Sequence, residues 1–318
     1  MAGASDQTLA LPDGTRLALQ VHESTGAARA SVVLGCAIGV PQRYYQDFAA
    51  WLAGRGFRVT TFDYRGSGAS RSGSHRRMCA TLDDWTQDYA AVIAHAKAAL
   101  AQRPLYLIGN SLGGQLPGLL PAPVQAQVDG LLAVAAGSGY WRVLARPARR
   151  GAHLFWYGVL PLATRLCGYF PGARLGLIGN LPAGVAWQWR RWCLHPRYSV
   201  GAEGEAAQRS YAAVRFPIHA LSFSDDEMMS LRGTEQLLAL YSQAPRHIER
   251  ITPQQLGVAR IGHLGFFRAD FAATLWPRAL QVLVDWCAAD AGTGPDAPAP
   301  TVARKTHSGI DPLHIARP

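Results

Sequence analysis

The hydrophobic pattern of the N-terminal third switches repeatedly between strand-like and helix-like spacing. The segment "LALPDGTRLALQV" alternates apolar and polar residues on both sides of Pro-Asp-Gly, which predicts a β-hairpin. "RASVVLGCAIG" is a short continuous apolar run, as expected of a strand buried on both faces. In "QRYYQDFAAWLAGRG", Tyr44, Phe48 and Leu52 recur every four residues ahead of two glycines, which predicts a helix and its end.

The same alternation continues toward the middle of the chain. "FRVTTFDYRG", "PLYLIG" and "DGLLAVAAGSG" are typical of strands. "DDWTQDYAAVIAHAKAAL" predicts a helix with an acidic first turn and Lys97 near its end, which suits the helix dipole. Strands that alternate with helices at this spacing indicate parallel βαβ units. The predicted fold class is therefore α/β, with a doubly wound, mostly parallel sheet.

A long segment interrupts the pattern from about residue 138 to residue 215, where the chain is rich in Trp, Arg, Gly and Pro and has no strand period. "FPIHALSFSDDE" restores a strand. A helix around "RGTEQLLALYSQ", a strand-like stretch between about Ile248 and Ile261, and a last helix around "ATLWPRALQVLVDWCAA" follow. We expect four segments: an α/β core in two parts at 1–137 and 216–290, a helical lid insertion at 138–215, and a disordered Pro/Ala-rich tail at 291–318.

Length and cysteine content narrow the class of protein. The chain has 318 residues, about half of them hydrophobic, which suits one large α/β domain with an insertion. The N-terminus has neither a basic start nor an apolar run, so we expect no signal peptide, and no segment holds 18 uninterrupted apolar residues. The five cysteines are scattered and never form CxxC, which predicts a reduced, cytoplasmic protein without a zinc site.

The net charge of +10 comes almost entirely from arginine, because the chain has only two lysines, Lys97 and Lys305. A high isoelectric point raises the possibility of nucleic-acid binding. No basic stripe with interleaved aromatic residues and no nucleic-acid motif accompanies the charge, so we expect no nucleic-acid partner.

The predicted strand "PLYLIG" runs into Gly109-Asn110-Ser111-Leu112-Gly113, which is a G-x-S-x-G sequence. This spacing is typical of a sharp strand-to-helix turn that exposes a nucleophilic serine, and the glycines let the neighbouring backbone pass. We predict that Ser111 is the nucleophile, that a helix dipole points at it, and that the Leu112 N–H helps to bind an oxyanion. The alternative is a tight turn with a solvated serine. Pro117 and Gly118 lie where the following helix should be regular, so we expect that this helix is kinked or that its first turn is irregular.

A serine hydroxyl needs a base to take its proton and an acid to orient the base. In this architecture the acid and then the histidine follow the serine along the chain. "LSFSDDEMM" places acids directly after a buried strand, and we choose Asp226 over Asp225. "RIGHLGFFR" places His263 between glycines on a loop after the last strand, and we predict that it is the base. A buried structural role is the alternative for His263.

The second oxyanion donor should lie in the loop after the strand "SVVLG". The N–H of Ile38 or of Ala37 could supply it, and we favour Ile38. Small residues and Gly39 allow the backbone to approach the reacting oxygen closely.

These residues together resemble the α/β-hydrolase superfamily over about residues 30–288. "FDYRGSGAS" is similar to the D-x-R-G-x-G-x-S turn of lipases, esterases and serine-aminopeptidase-like members. "GYFPGARLG", "LPAGVAWQW" and "IGHLGFFR" resemble a bacterial group of α/β-hydrolases. The resemblance implies a Ser-Asp-His hydrolase with a lid after the sixth strand, and no particular substrate. Gly35-Cys36-Ala37 departs from the commoner His-Gly pair, which leaves the choice of oxyanion donor open.

The predicted insertion has an unusual composition. Between residues 130 and 202 there are nine arginines, no acidic residue and five of the nine tryptophans. The arginines could hold an acidic part of a substrate, could contact anionic lipid, or could coat the outside of a lid whose underside is apolar. We favour the last reading.

The predicted activity is hydrolysis of an ester or thioester through an acyl-enzyme on Ser111, without cofactor or metal. An acyltransferase or an aminopeptidase on the same three residues, or a non-catalytic binding protein of this fold, are the alternatives. The expected partner is a small-molecule acyl substrate, which could carry an acidic group. Transient membrane contact is an alternative that we do not favour, and the sequence does not indicate an oligomeric state.

Overall fold

The structure, a computed structural model, describes residues 3–292. Within that range the chain forms one large sheet, one two-stranded sheet and ten α-helices. The strands are β1 Ala4–Ala10, β2 Arg16–His22, β3 Ala30–Gly35, β4 Phe57–Phe62, β5 Leu105–Asn110, β6 Gly130–Val134, β7 Tyr169–Phe170, β8 Leu181–Pro182, β9 Ile218–Phe223 and β10 Arg246–Ile251. The helices are α1 Gln46–Ala53, α2 Leu82–Ala99, α3 Ala122–Gln125, α4 Arg146–Leu154, α5 Leu160–Cys167, α6 Ala183–Leu194, α7 Tyr198–Glu203, α8 Glu205–Ala213, α9 Leu231–Leu240 and α10 Trp276–Gly292.

The large sheet has eight strands in the order β1-β2-β4-β3-β5-β6-β9-β10. β2 pairs antiparallel with β1 and with β4, and all the other pairs are parallel. Every residue of β3, β4, β5 and β6 is buried, which explains why these strands are continuous apolar runs. The predicted α/β class, the mostly parallel sheet and the N-terminal hairpin are therefore confirmed.

Local sequence signals account for the ends of the core helices. Thr81 caps α2: its side chain accepts a hydrogen bond from the Asp84 N–H, and the Asp84 side chain accepts one from the Thr81 N–H. Ser230 caps α9 through the Gly233 N–H. These caps fix where each helix begins, and so the length of the loop between it and the preceding strand.

Between β6 and β9 the chain forms α4 to α8 and the short β7–β8 hairpin. We call the predicted lid insertion, residues 138–215, the cap. A π-helical turn at Phe155–Val159 joins α4 to α5, so residues 146–167 form one helix without a gap, which the π turn interrupts in the middle. No helix within residues 3–292 is long and apolar enough to cross a bilayer.

The chain after Ser111 forms two 3₁₀ turns, Ser111–Gly114 and Leu116–Leu119, which matches the irregular first turn that Pro117 led us to expect. Two other predictions about secondary structure were wrong in detail. The strand predicted to reach Ile261 ends at Ile251, because Pro253 begins a 3₁₀ turn. The last helix extends to Gly292 and includes the first two residues of the predicted tail, 291–318; residues 293–318 lie outside the described residues.

Candidate active site

Ser111 follows β5 at the carboxyl edge of the sheet and has φ of 50°. A positive φ is unfavourable for a residue with a Cβ and is a form of strain that collects at functional sites. The two glycines make this turn feasible. A Cβ at Gly109 would lie 2.3 Å from the Gly113 carbonyl oxygen, and one at Gly113 would lie 2.0 Å from the Gly35 carbonyl oxygen. The G-x-S-x-G spacing is thus a steric requirement here.

Asp226 and His263 are in direct contact. Both carboxylate oxygens of Asp226 lie 3.0 Å from His263 Nδ1. The Asp226 Oδ1 atom also accepts hydrogen bonds from the N–H groups of Met228 and Met229, each at 2.8 Å. A carboxylate held this way accepts a hydrogen bond from the Nδ1–H group, which leaves Nε2 of the ring as an acceptor.

Asp225 has a different role from Asp226. Its Oδ2 atom accepts hydrogen bonds from the backbone N–H groups of Ile261 and Gly262, at 2.7 and 3.1 Å. Gly262 has φ of 71°, a conformation that favours glycine. Asp225 therefore shapes the loop that carries His263, while Asp226 contacts the ring.

Glu227 is a member of this cluster that the sequence analysis did not single out. Its Oε2 atom accepts a hydrogen bond from the His263 N–H and pairs with Arg260, both at 3.1 Å. Burial raises the pKa of Glu227, but backbone hydrogen bonds and Arg260 outweigh burial and hold the pKa below its usual value. Three consecutive acids thus position one histidine loop.

Ser111 and His263 line the same cavity, of about 200 Å³. Within the described residues no hydrogen bond joins the two side chains, and such contacts often tighten only when substrate binds. The other lining residues are mainly apolar and come from both the core and the cap. They are Ala37, Ile38, Val40, Leu112, Gln115, Gly139, Leu144, Trp156, Leu177, Ile178, Trp189, Cys193, Tyr198, Glu227, Met228, Met229 and Leu264.

The two candidate oxyanion donors are not equivalent. The Ala37 N–H donates to the Tyr45 hydroxyl at 2.9 Å, and that hydroxyl donates to Asn110 Oδ1 at 3.0 Å. Among residues 3–292 no such partner is found for the Ile38 N–H, and Ile38 lines the cavity together with Leu112. Leu112 is the second residue of a 3₁₀ turn, where an N–H has no partner within the turn. This geometry supports Ile38 over Ala37.

The turn after Ser111 is held by the cap instead of by a long helix. Pro117 lies in the second 3₁₀ turn, and a Cβ at Gly118 would lie 2.1 Å from the Tyr211 ring. A single short turn carries little of the dipole of a full helix, so the predicted helix-dipole contribution is reduced.

Gln115 is the residue through which the cap holds this turn. Its Oε1 atom accepts a hydrogen bond from the Tyr198 hydroxyl at 2.7 Å, and its carbonyl accepts one from the Tyr211 hydroxyl at 2.6 Å. Tyr198 itself has φ of 52°, which is unusual for a bulky side chain. Two tyrosines of the cap thus contact a residue four positions after Ser111.

The cap also touches the loop that carries Ile38. Gly39 and Gly179 pack backbone against backbone: a Cβ at Gly179 would lie 2.2 Å from the Gly39 carbonyl oxygen, and one at Gly39 would lie 2.8 Å from the Gly179 nitrogen. The segment around Gly179 therefore forms one wall beside the candidate oxyanion pocket.

The arginines of the cap do not line the cavity, and neither do the cap histidines His153 and His195. The His195 Nδ1 atom instead accepts a hydrogen bond from the Arg197 N–H. All five cysteines are free thiols, and burial raises the pKa of Cys193 in the cavity wall. Within residues 3–292 no group of three or more His, Cys, Asp or Glu side chains is arranged to hold a metal ion.

The order of strands and the site at the carboxyl edge of the sheet define an α/β-hydrolase fold. Residues 26–165 match the model of the family described as serine aminopeptidase, S33. The fold is therefore that of the α/β-hydrolases, and the matched residues, which make up less than half of the chain, are similar to the serine-aminopeptidase family. The search of curated proteins found no match to this sequence.

Solved structures of low sequence identity share the fold over nearly the whole chain. A soluble variant of monoglyceride lipase from Saccharomyces cerevisiae, in complex with a substrate analogue, is 15% identical with a TM-score of 0.65, over 90% of this chain and 96% of the lipase chain. A thioesterase domain from the curacin biosynthetic pathway is 17% identical with a TM-score of 0.54, over 88% and 99%. An esterase from Pyrococcus furiosus is 12% identical with a TM-score of 0.58, over 90% and 93%.

Proposed function

We propose that this protein is a serine hydrolase that cleaves an ester or thioester with Ser111 as nucleophile, His263 as base and Asp226 as the acid that orients the base. The observation that carries the proposal is the contact of Asp226 with His263 Nδ1, in a cavity whose wall also contains a strained Ser111. A serine in this setting gains reactivity because the imidazole Nε2 atom can take its proton.

The reaction would proceed in two halves. The Ser111 Oγ atom attacks the acyl carbonyl carbon while His263 takes the hydroxyl proton, and the imidazolium that forms is stabilised by Asp226. The N–H groups of Ile38 and Leu112 donate hydrogen bonds to the oxyanion. His263 returns the proton to the leaving alcohol or thiol, and water then repeats the sequence on the acyl-enzyme to release the acid and free Ser111.

The chemistry of the cavity favours an uncharged, apolar acyl group. Apart from His263 and Glu227, the lining side chains with ionisable groups are Cys193 and Tyr198, and burial raises the pKa of each. A carboxylate on the acyl chain would meet the ionised Glu227 and no arginine. The structures of this fold include proteins named as a monoglyceride lipase, a thioesterase domain and an esterase, which supports an ester or thioester as the substrate.

A fluorophosphonate probe tests the proposal, because it reacts only with an activated serine. We expect labelling of the wild-type protein, loss of labelling in Ser111→Ala, and retained labelling in the matched control Ser242→Ala, which removes an exposed hydroxyl far along the chain. Hydrolysis of p-nitrophenyl esters and acyl thioesters of graded chain length then gives the substrate class. A wild-type protein that is not labelled, or labelling that survives in Ser111→Ala, would contradict the proposal and favour a binding protein.

A further inference from the structure

Among residues 3–290, the large hydrophobic side chains that remain most exposed are confined to one part of the cap. Their exposed fractions run from 44% to 72%, and all belong to the interrupted helix α4–α5 or to the loop between β7 and β8. Large apolar side chains that are exposed together on neighbouring elements mark an interaction surface more often than scattered single residues do. We call these residues the apolar patch: Leu154, Tyr157, Leu162, Leu166, Leu175 and Leu177.

The net charge of the protein is concentrated in the same part of the chain. Residues 130–202 contain nine arginines and no Asp, Glu or Lys, whereas the remaining residues contain 22 basic and 21 acidic side chains. The segment that carries the apolar patch therefore accounts for nine of the ten net positive charges. A general preference for arginine codons in the gene would spread arginines over the whole chain. It would not remove every acidic residue from this one segment.

The arginines are largely free of intramolecular partners of opposite charge. Within residues 3–292, Arg191 is the only one of the nine that forms an ion pair, with Glu203. Arg146, Arg149 and Arg150 lie on exposed positions of α4, and Arg165 lies between Leu162 and Leu166 on α5. These guanidinium groups are available to an external anion.

An apolar groove lies between the patch and the cavity that holds Ser111. The groove has a volume of about 380 Å³ and is lined by Leu154 and Leu177 of the patch and by residues of α4. It shares six of its lining residues with the Ser111 cavity. The shared residues are Leu144, Trp156, Leu177, Ile178, Trp189 and Met228.

We propose that the cap docks on an anionic lipid bilayer, with the apolar patch in the interface and the arginines against the lipid headgroups. Apolar side chains flanked by cationic ones are the combination that binds such a surface: the first gain from leaving water and the second from the negative surface potential. The Arg165 side chain can keep its charge at headgroup level while the leucines beside it go deeper.

Together with the proposed function, on which this step rests, the groove indicates which class of substrate the docked protein would take. An acyl chain that leaves the bilayer at the patch meets an apolar groove whose wall is shared with the Ser111 cavity. The substrate class is then a lipid ester with a long acyl chain, presented at a membrane.

Vesicle co-sedimentation tests the docking directly. The full chain is mixed with phosphatidylcholine vesicles that contain either no phosphatidylglycerol or about one third of it, over a series of salt concentrations. We expect binding to the anionic vesicles, weakening as salt rises, and little binding to the neutral ones. Leu162→Gln/Leu166→Gln and Arg149→Gln/Arg150→Gln should each reduce binding by at least fivefold.

Matched controls separate docking from general charge effects and from catalysis. Arg103→Gln/Arg232→Gln removes two exposed arginines outside the cap and should leave binding unchanged. None of the substituted residues lines the Ser111 cavity, so hydrolysis of a short soluble ester should be the same in every variant. If soluble esters are hydrolysed but vesicles are not bound, the docking is wrong and the proposed function stands. If vesicles are bound in the expected way but no ester is hydrolysed, the docking stands and the proposed function is wrong.

Two further outcomes would overturn the docking. One is binding to anionic vesicles that the leucine variant leaves unchanged. The other is equal binding to vesicles and to duplex DNA, again without any effect of the leucines. In either case the cap is a polyanion-binding surface with no apolar contribution.

Discussion

The charged residues at the carboxyl edge of the sheet and those of the cap differ in how many partners they have within the protein. At the sheet edge, Asp225, Asp226 and Glu227 are each occupied by backbone N–H groups, and two of them also hold His263 or Arg260. In residues 130–202, eight of the nine arginines have no acidic partner within the described residues, and large apolar side chains of the cap face outward. Acids that accept hydrogen bonds from backbone N–H groups fix the geometry of a loop, whereas exposed arginines without an acidic partner are available to a group outside the molecule.

The largest effect should come from the sheet edge. Asp226→Asn keeps the shape of the side chain but replaces the acceptor of the Nδ1 hydrogen, so it favours the wrong tautomer of His263. We expect kcat to fall by about 10³- to 10⁴-fold, as for the equivalent change in serine proteases. Steady-state kinetics on a short p-nitrophenyl ester measures it.

Asp225→Asn is the matched comparison, since it removes a neighbouring negative charge whose hydrogen bonds go to backbone. We expect a cost of about 1–2 kcal/mol in the free energy of unfolding, from weakened bonds to Ile261 and Gly262, and a much smaller loss of kcat. Equal loss of kcat in the two variants would mean that the acids act only by holding the loop, which contradicts separate roles.

A pair of glycine substitutions should affect the two regions in opposite directions. Gly109→Ala would place a Cβ against backbone atoms of residues 113 and 114, which cannot move away independently, and we expect destabilisation by about 3 kcal/mol or more. Gly151→Ala lies in α4 with nothing within 4 Å of the added Cβ, and should stabilise the protein by up to about 1 kcal/mol. Denaturant unfolding of both variants checks the contrast; destabilisation by Gly151→Ala would show that α4 is packed more tightly than its surroundings indicate.

A smaller effect is expected where the two regions meet. Tyr198→Phe removes the hydroxyl that donates a hydrogen bond to Gln115 Oε1. Because the turn after Ser111 then loses one of its contacts, we expect kcat to fall about tenfold with a modest change in KM. Tyr140→Phe is the control, since within residues 3–292 no hydrogen bond of its hydroxyl is found. If Tyr198→Phe lowers the melting temperature but leaves kcat intact, Tyr198 only anchors the cap.

The core was predictable because its signals are local or follow from the topology. Continuous apolar runs gave the buried parallel strands, and residues that follow such strands must meet at one edge of the sheet. The same logic brought Ser111, Asp226 and His263 to one place from positions up to 152 residues apart. The preference for Ile38 over Ala37 needed one further fact, the hydrogen bond between Ala37 and Tyr45, which sequence spacing does not contain.

The cap and the turn after Ser111 were harder for the same reason: they depend on contacts between distant segments. Pro117 indicated that a regular helix could not follow Ser111, but the packing of Tyr211 against Gly118 that replaces it comes from a residue more than 90 positions later. The arginines were counted correctly, yet their direction depends on how α4 and α5 pack. The 3.6-residue period was also obscured by the π turn at Phe155–Val159.

The backbone contact between Gly39 and Gly179 makes the entrance and the oxyanion pocket mechanically dependent on each other. If segment 171–180 swings outward to admit an acyl chain, the wall beside the Ile38 amide leaves with it, and its return rebuilds that wall. Admission of substrate and completion of the anion-binding pocket would then be the opening and the closing of the same segment. Even one methyl group at position 179 would collide with the backbone at Gly39 and would keep the segment from closing fully.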